Sequence, residues 1–146
     1  MPKRQPDPYH LERFVNAQDG MFDRALAELQ RGRKMTHWMW FIFPQIRGLG
    51  HSETAQRYAV SSLAEAKAYL DHPVLGARLE ECTRLVCAVN GRSASQIFGA
   101  PDDMKFRSSM TLFARAAPPG RAIFRDALDQ YFGGANDDLT LAKLGS

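Results

Sequence analysis

One segment constrains this chain more than any other. The run Thr36-His37-Trp38-Met39-Trp40-Phe41-Ile42-Phe43-Pro44-Gln45, continuing through Ile46-Arg47-Gly48-Leu49-Gly50-His51-Ser52, holds both tryptophans of the protein. Wound as a helix from a Thr36 cap, it has no polar face: His37, Trp40, Phe41 and Pro44 share one side, while Trp38, Met39, Ile42 and Phe43 cover the rest. As a strand it is equally apolar on both faces. Such an element must be surrounded by others or must wall a cavity. Met39, Ile42 and Phe43 suit a core. Trp38 and Trp40 suit either role, because each indole has an apolar body and one N–H donor that wants a partner.

The rest of the chain reads as helix. Asp7-Pro8 is an N-cap and first helical residue, followed at helical spacing by Leu11, Phe14, Val15 and Gln18. Asp19 is placed to cap a second helix, with inward stripe Phe22, Ala25, Leu26 and Leu29 and a Gly32 stop. Ser52 caps a short helix near 53–58, and Ser62-x-x-Glu65 is a capping box opening 63–70. Pro73 begins the longest amphipathic stretch, marked by Leu75, Leu79, Cys82, Val86 and Val89 and ended by Asn90-Gly91. Ser93 caps a turn to Phe98, and Pro101 opens a helix whose buried side is Phe106, Met110 and Phe113. Pro118-Pro119-Gly120 then precedes a last helix with Phe124, Leu128, Tyr131 and Phe132. Alternating strand patterns are nearly absent. The expected architecture is all-α, one domain over 1–146 of seven or eight helices around the Trp-rich segment, with 1–6 flexible and 135–146 a short tail.

Charge narrows the partners. Nineteen Lys plus Arg against sixteen Asp plus Glu leave a net +3. Arginine outnumbers lysine fourteen to five, and its planar fork suits phosphate as well as carboxylate. Helical spacing also offers plain ion pairs, at Arg24/Glu28, Glu80/Arg84 and Asp103/Arg107. The cluster Arg31, Arg33, Lys34 reads as a solvated turn. It lacks interleaved aromatics, so no nucleic-acid partner is expected. Cys82 and Cys87 point about 140° apart on a helix, too far for a bridge, and the four histidines are scattered without metal-ligand spacing. No metal and no cofactor are expected. The longest apolar run, Trp38 to Pro44, is too short to span a bilayer, and the polar start resembles no signal peptide, so no membrane partner is expected and the location reads as cytoplasmic. Oligomeric state is not written in these features.

The candidate site gathers around the Trp-rich segment. Trp38 or Trp40 would stack a base; Arg47 and the Gly48-Leu49-Gly50 turn, leading through His51 to a helix start, would present a guanidinium and amides to phosphate, with Gln45 at the mouth. Asp102, Lys105 and Ser109 fall at i, i+3 and i+7, on one side of one helix. Asp102 or Asp103, with His37, would supply the carboxylate and proton carrier that N-glycosidic cleavage of a nucleotide-like or ADP-ribose-like anion requires. The alternative is a non-catalytic ligand-binding or protein-interaction domain whose Trp-rich segment is simply core. No Gly-x-Ser-x-Gly elbow supports a serine hydrolase.

These motifs also carry a resemblance. The run His37 to Gln45, then Gly48-Leu49-Gly50-His51-Ser52, Ala68-Tyr69-Leu70-Asp71-His72-Pro73 with Leu75-Gly76, Ile97-Phe98-Gly99, Asp102-Asp103-x-Lys105 and Ser108-Ser109-x-Thr111-Leu112-Phe113 resemble the family called domain of unknown function 1810. The match covers roughly 11–144. It implies a mainly helical fold and no established activity. Some relatives carry the label calpastatin, but that inhibitor is disordered and poor in aromatics, which this composition contradicts.

Overall fold

Side-chain caps set four of the ten helix starts among the described residues. A computed structural model describes residues 7–145, so the stretch 1–6 expected to be flexible lies outside the described residues. Helix α1 (Glu12–Gln18) starts later than the Asp7-Pro8 pair suggested: Pro8 lies in a turn before it, and the Asp7 carboxylate accepts from the N–H groups of Leu11 and Glu12 at 2.7 and 3.0 Å. Asp19 does not cap α2 (Phe22–Gln30); it closes α1 instead. Gly32, at φ 76°, ends α2 in a Schellman turn, with the Arg33 N–H on the Glu28 carbonyl and the Gly32 N–H on that of Leu29. The Trp-rich segment contributes a single turn, α3 (Met39–Ile42), without a side-chain cap.

Ser52 and Ser62 cap α4 (Glu53–Arg57) and α5 (Leu63–Asp71) through their hydroxyls. The Glu65 half of the expected capping box is diverted, because its carboxylate accepts from Arg13 and Ser61. The complete box forms at Ser93 and Gln96, opening α7 (Ala94–Phe98). Between them, His72 Nδ1 accepts from the Val74 and Leu75 N–H groups at the start of α6 (Leu75–Cys87). Gly76 lets α6 approach α5, since a Cβ there would lie 2.1 Å from the Leu70 carbonyl oxygen.

Helix α8 (Asp102–Ala116) is the centre of the molecule. Seven of its residues from Phe106 to Phe113 are buried, Arg107 being the half-buried exception, as a helix enclosed on nearly all sides requires. It packs against α5, α7, α9 (Ile123–Phe132) and α10 (Asp138–Leu144), while α6 spans α2, α5 and α9. The Trp-rich segment threads into this core. Trp38, Met39, Ile42 and Phe43 are buried, and Phe43 meets Phe98 and Phe106 edge-to-face at 5.9 and 5.0 Å.

The all-α class holds, but the described residues form ten helices where seven or eight were expected. One extra helix is the turn α3. The other is α10, in residues expected to be a short tail. It was hidden because polar groups dock it: the Asp137 carboxylate accepts from the Thr140 N–H and hydroxyl and from Ser108, and Thr140 is buried. Among the described residues there is no strand, only an isolated parallel bridge between Ile46 and Val60, and no helix is long and apolar enough to cross a membrane.

Candidate functional site

The structure divides the expected site residues among three places. The first is sealed. Glu28, on the same face of α2 as Ala25 and Leu29, turns its carboxylate inward and accepts from the N–H groups of Met35 and Thr36, the Thr36 hydroxyl and the Trp38 indole, at 2.7 to 3.0 Å. Burial alone would raise the Glu28 carboxyl, but these donors outweigh it and hold it down to about 2. Trp38 is fully buried with its donor satisfied, so it is a structural residue and not the ligand wall expected of it. Its indole is spent on fixing the turn into the core. Glu28 itself was read as a surface ion-pair partner of Arg24; its helical phase beside Ala25 and Leu29 was the available signal of burial.

The second place is polar and partly open. Lys34 and Asp102 pair at 2.9 Å, and Lys105 approaches the other Asp102 oxygen at 3.5 Å. The Lys34 ammonium lies 5.1 Å from the Trp38 ring centre, and that of Lys105 lies 5.2 Å from Trp40, which is half-buried. Lys34 was assigned to a solvated turn, yet its backbone N–H bonds the Ile97 carbonyl and its side chain is 7% exposed. Ser109, one turn beyond Lys105 on α8, is buried, and its hydroxyl has no hydrogen-bond partner among the described residues. Trp40 also lines a narrow, water-sized cleft of about 10 Å³ with Gln45, Gly50, Ala55 and Tyr58.

The third place holds Arg47. It faces a separate groove with Tyr9, His10, Arg13, Arg57, Ser61 and Glu65, so it does not converge with Trp40 or Asp102. The other expected groups disperse. His37 and His51 are exposed, and the His51 carbonyl accepts from Gln56. Asp103 accepts from the neighbouring Met104 N–H. Lys143 of α10 lies beside the exposed Gly48, where a Cβ would come within 3.0 Å of its Cε, and Gly50 packs on Ala55. The single pocket expected from the sequence is therefore not formed: Trp38 is buried, and Arg47 faces another groove. Of its members the structure brings together Asp102, Lys105 and Trp40, with Gln45 beside Trp40 and Ser109 one turn along α8.

The thiols and phenols moved from their ordinary range are buried or half-buried. Burial pushes Cys82 up to about 12 and Cys87 up to about 11, and pushes Tyr69 up as well. Tyr131 rises to about 12, chiefly by burial, with its hydroxyl on the Val86 carbonyl. None of the described residues form a cluster of histidine, cysteine and carboxylate that could hold a metal ion.

A lysine-bracketed carboxylate beside a half-buried indole, in a fold whose described residues form ten helices with α8 at the centre, defines a small all-α domain with a compact polar site. The chain belongs to the family described as Protein of unknown function (DUF1810), which matches residues 8–144. It is similar to a conserved hypothetical protein of Mycobacterium tuberculosis, Rv1873, known from a crystal structure. The two share 54% identity and a TM-score of 0.93, over 96% of this chain and 99% of that one. No curated protein matches the chain.

Proposed function

We propose that this protein is a non-catalytic domain that binds a small, anionic, nucleotide-like ligand at Lys34, Asp102, Lys105 and Trp40. One observation carries the reading: two ammonium groups converge on one carboxylate next to a half-buried indole. The local charge is one positive in excess. A ligand phosphate or carboxylate can exchange places with the looser 3.5 Å Asp102–Lys105 contact, while a base stacks on Trp40 in place of the Lys105 ammonium.

Binding is favoured over N-glycosidic cleavage by the same geometry. Both Asp102 oxygens already face a lysine, and neither His37 nor Asp103 joins them to move a proton. The test is a calorimetric titration with ADP-ribose. The wild type should show a saturable change that disappears in Lys105→Ala and in Trp40→Phe, with melting temperatures close to the wild type. Absence of any change at millimolar ligand, or a change that survives Lys105→Ala, overturns the proposal; release of free base or ribose would replace it with catalysis.

A further inference from the structure

We infer that the groove holding Arg47 and Arg57 is a second binding site, for a soluble phosphate monoester carrying a single phosphate group. The groove has a volume of about 330 Å³ and is lined by three arginines, His10, Ser61, Tyr9, Pro8 and one carboxylate, Glu65.

Its floor is already committed. Arg13 donates to the carbonyls of Arg57, Tyr9, His10 and Ala59, at 2.7 to 2.9 Å, and pairs with Glu65 at 2.9 Å. The Ser61 N–H and hydroxyl both donate to the other Glu65 oxygen. The only lining carboxylate among the described residues is thus consumed by Arg13 and Ser61. Arg47 and Arg57 remain, both exposed, and among the described residues neither has an ion-pair partner.

The backbone aims them. Arg47 donates its N–H to the Val60 carbonyl and the Val60 N–H reaches the Gln45 carbonyl, so the buried Ile46 turns inward and Arg47 turns out beside Ser61. The Arg57 guanidinium lies 5.7 Å from the Tyr58 ring centre, which limits its freedom. Across the rim, His10 is the only described residue other than glycine with positive φ, at 52°. That conformation is held by Asp7 and by the Arg13 contact to the His10 carbonyl.

Two exposed forks without a counter-ion among the described residues fit a dianion, and planar forks recognise phosphate oxygens in pairs. Size limits the rest of the ligand: the groove sits near the low end of the range of about 300–1,000 Å³ typical of ligand pockets, so a sugar or single nucleoside fits and a polymer does not. Charge limits it further. On the far side of Pro8 and Tyr9 lies a larger cavity, of about 610 Å³, whose walls carry Asp7, Glu12 and Asp71, and these repel a second phosphate.

The experiment is calorimetric titration of the full chain with phenyl phosphate, and with benzenesulfonate as a monoanionic aromatic control of similar size. Phenyl phosphate should bind about tenfold more tightly than the sulfonate. The Arg47→Ala/Arg57→Ala double variant should lose binding while melting like the wild type, and Arg47→Lys and Arg57→Lys should each weaken it several-fold despite keeping the charge. Lys105→Ala should bind phenyl phosphate as the wild type does, which keeps this site separate from the one at Trp40. Equal affinity for the two probes, binding retained in the double variant, loss in Lys105→Ala, or binding only to phosphatidic-acid vesicles would each overturn the assignment.

Discussion

Glu28 is the residue on which the interior depends most directly. Four donors, two of them backbone, meet one buried carboxylate, so the turn from Met35 to Trp38 is tied to α2 by charge-assisted hydrogen bonds. The carboxyl is depressed from an ordinary 4.5 to about 2, so its stabilisation is fully present above the unfolded value and is lost as pH falls through the folded one. Glu28→Gln should cost about 3 kcal/mol at neutral pH, and the gap to wild type should close between about pH 4.5 and about pH 2. Denaturant melts of the two proteins across that range check this; a gap independent of pH would refute it. The sequence shows that the Trp38 N–H needs an acceptor. It does not show which, because the acceptor was assigned to the surface until the chain closed around it.

At the scale of elements, hydroxyl caps were the most legible feature. Ser52, Ser62 and Ser93 each accept the N–H three residues on, a relation contained within one turn of chain. Helix α10 was illegible for the opposite reason. Its attachment runs between distant segments: Asp137 bridges Thr140 to Ser108, the Asp137 N–H reaches the Thr111 hydroxyl, and Arg107 donates to the carbonyls of Ala135 and Asn136. No apolar stripe announces such a helix. Asp137→Ala should therefore cost about 1–2 kcal/mol and loosen α10 ahead of the rest. Amide exchange offers the readout: the Thr140 amide should exchange faster while those of Phe106 to Phe113 keep their protection, and uniform loss across both helices would count against separate docking.

For the whole molecule, the continuous core running from Leu11 to Leu128 predicts one cooperative unfolding event. Cys82 is a built-in reporter of it, being fully buried with its thiol pushed up to about 12, whereas Cys87 is half-buried. Under thiol reagent Cys87 should react first and Cys82 only at the denaturant-dependent rate of global unfolding; Cys82 labelling that ignores denaturant would reveal a local opening instead. By itself the sequence determined the helical class, most helix ends and the enclosure of Met39, Ile42 and Phe43, since these follow from caps and periodicities a few residues long. Only the tertiary structure decided that Trp38 is sealed while Trp40 stays half-open, that Arg47 turns to a different groove, and that Lys34 meets Asp102 and Lys105. Those outcomes depend on which distant helices come to lie beside one another, and a local pattern does not encode that arrangement.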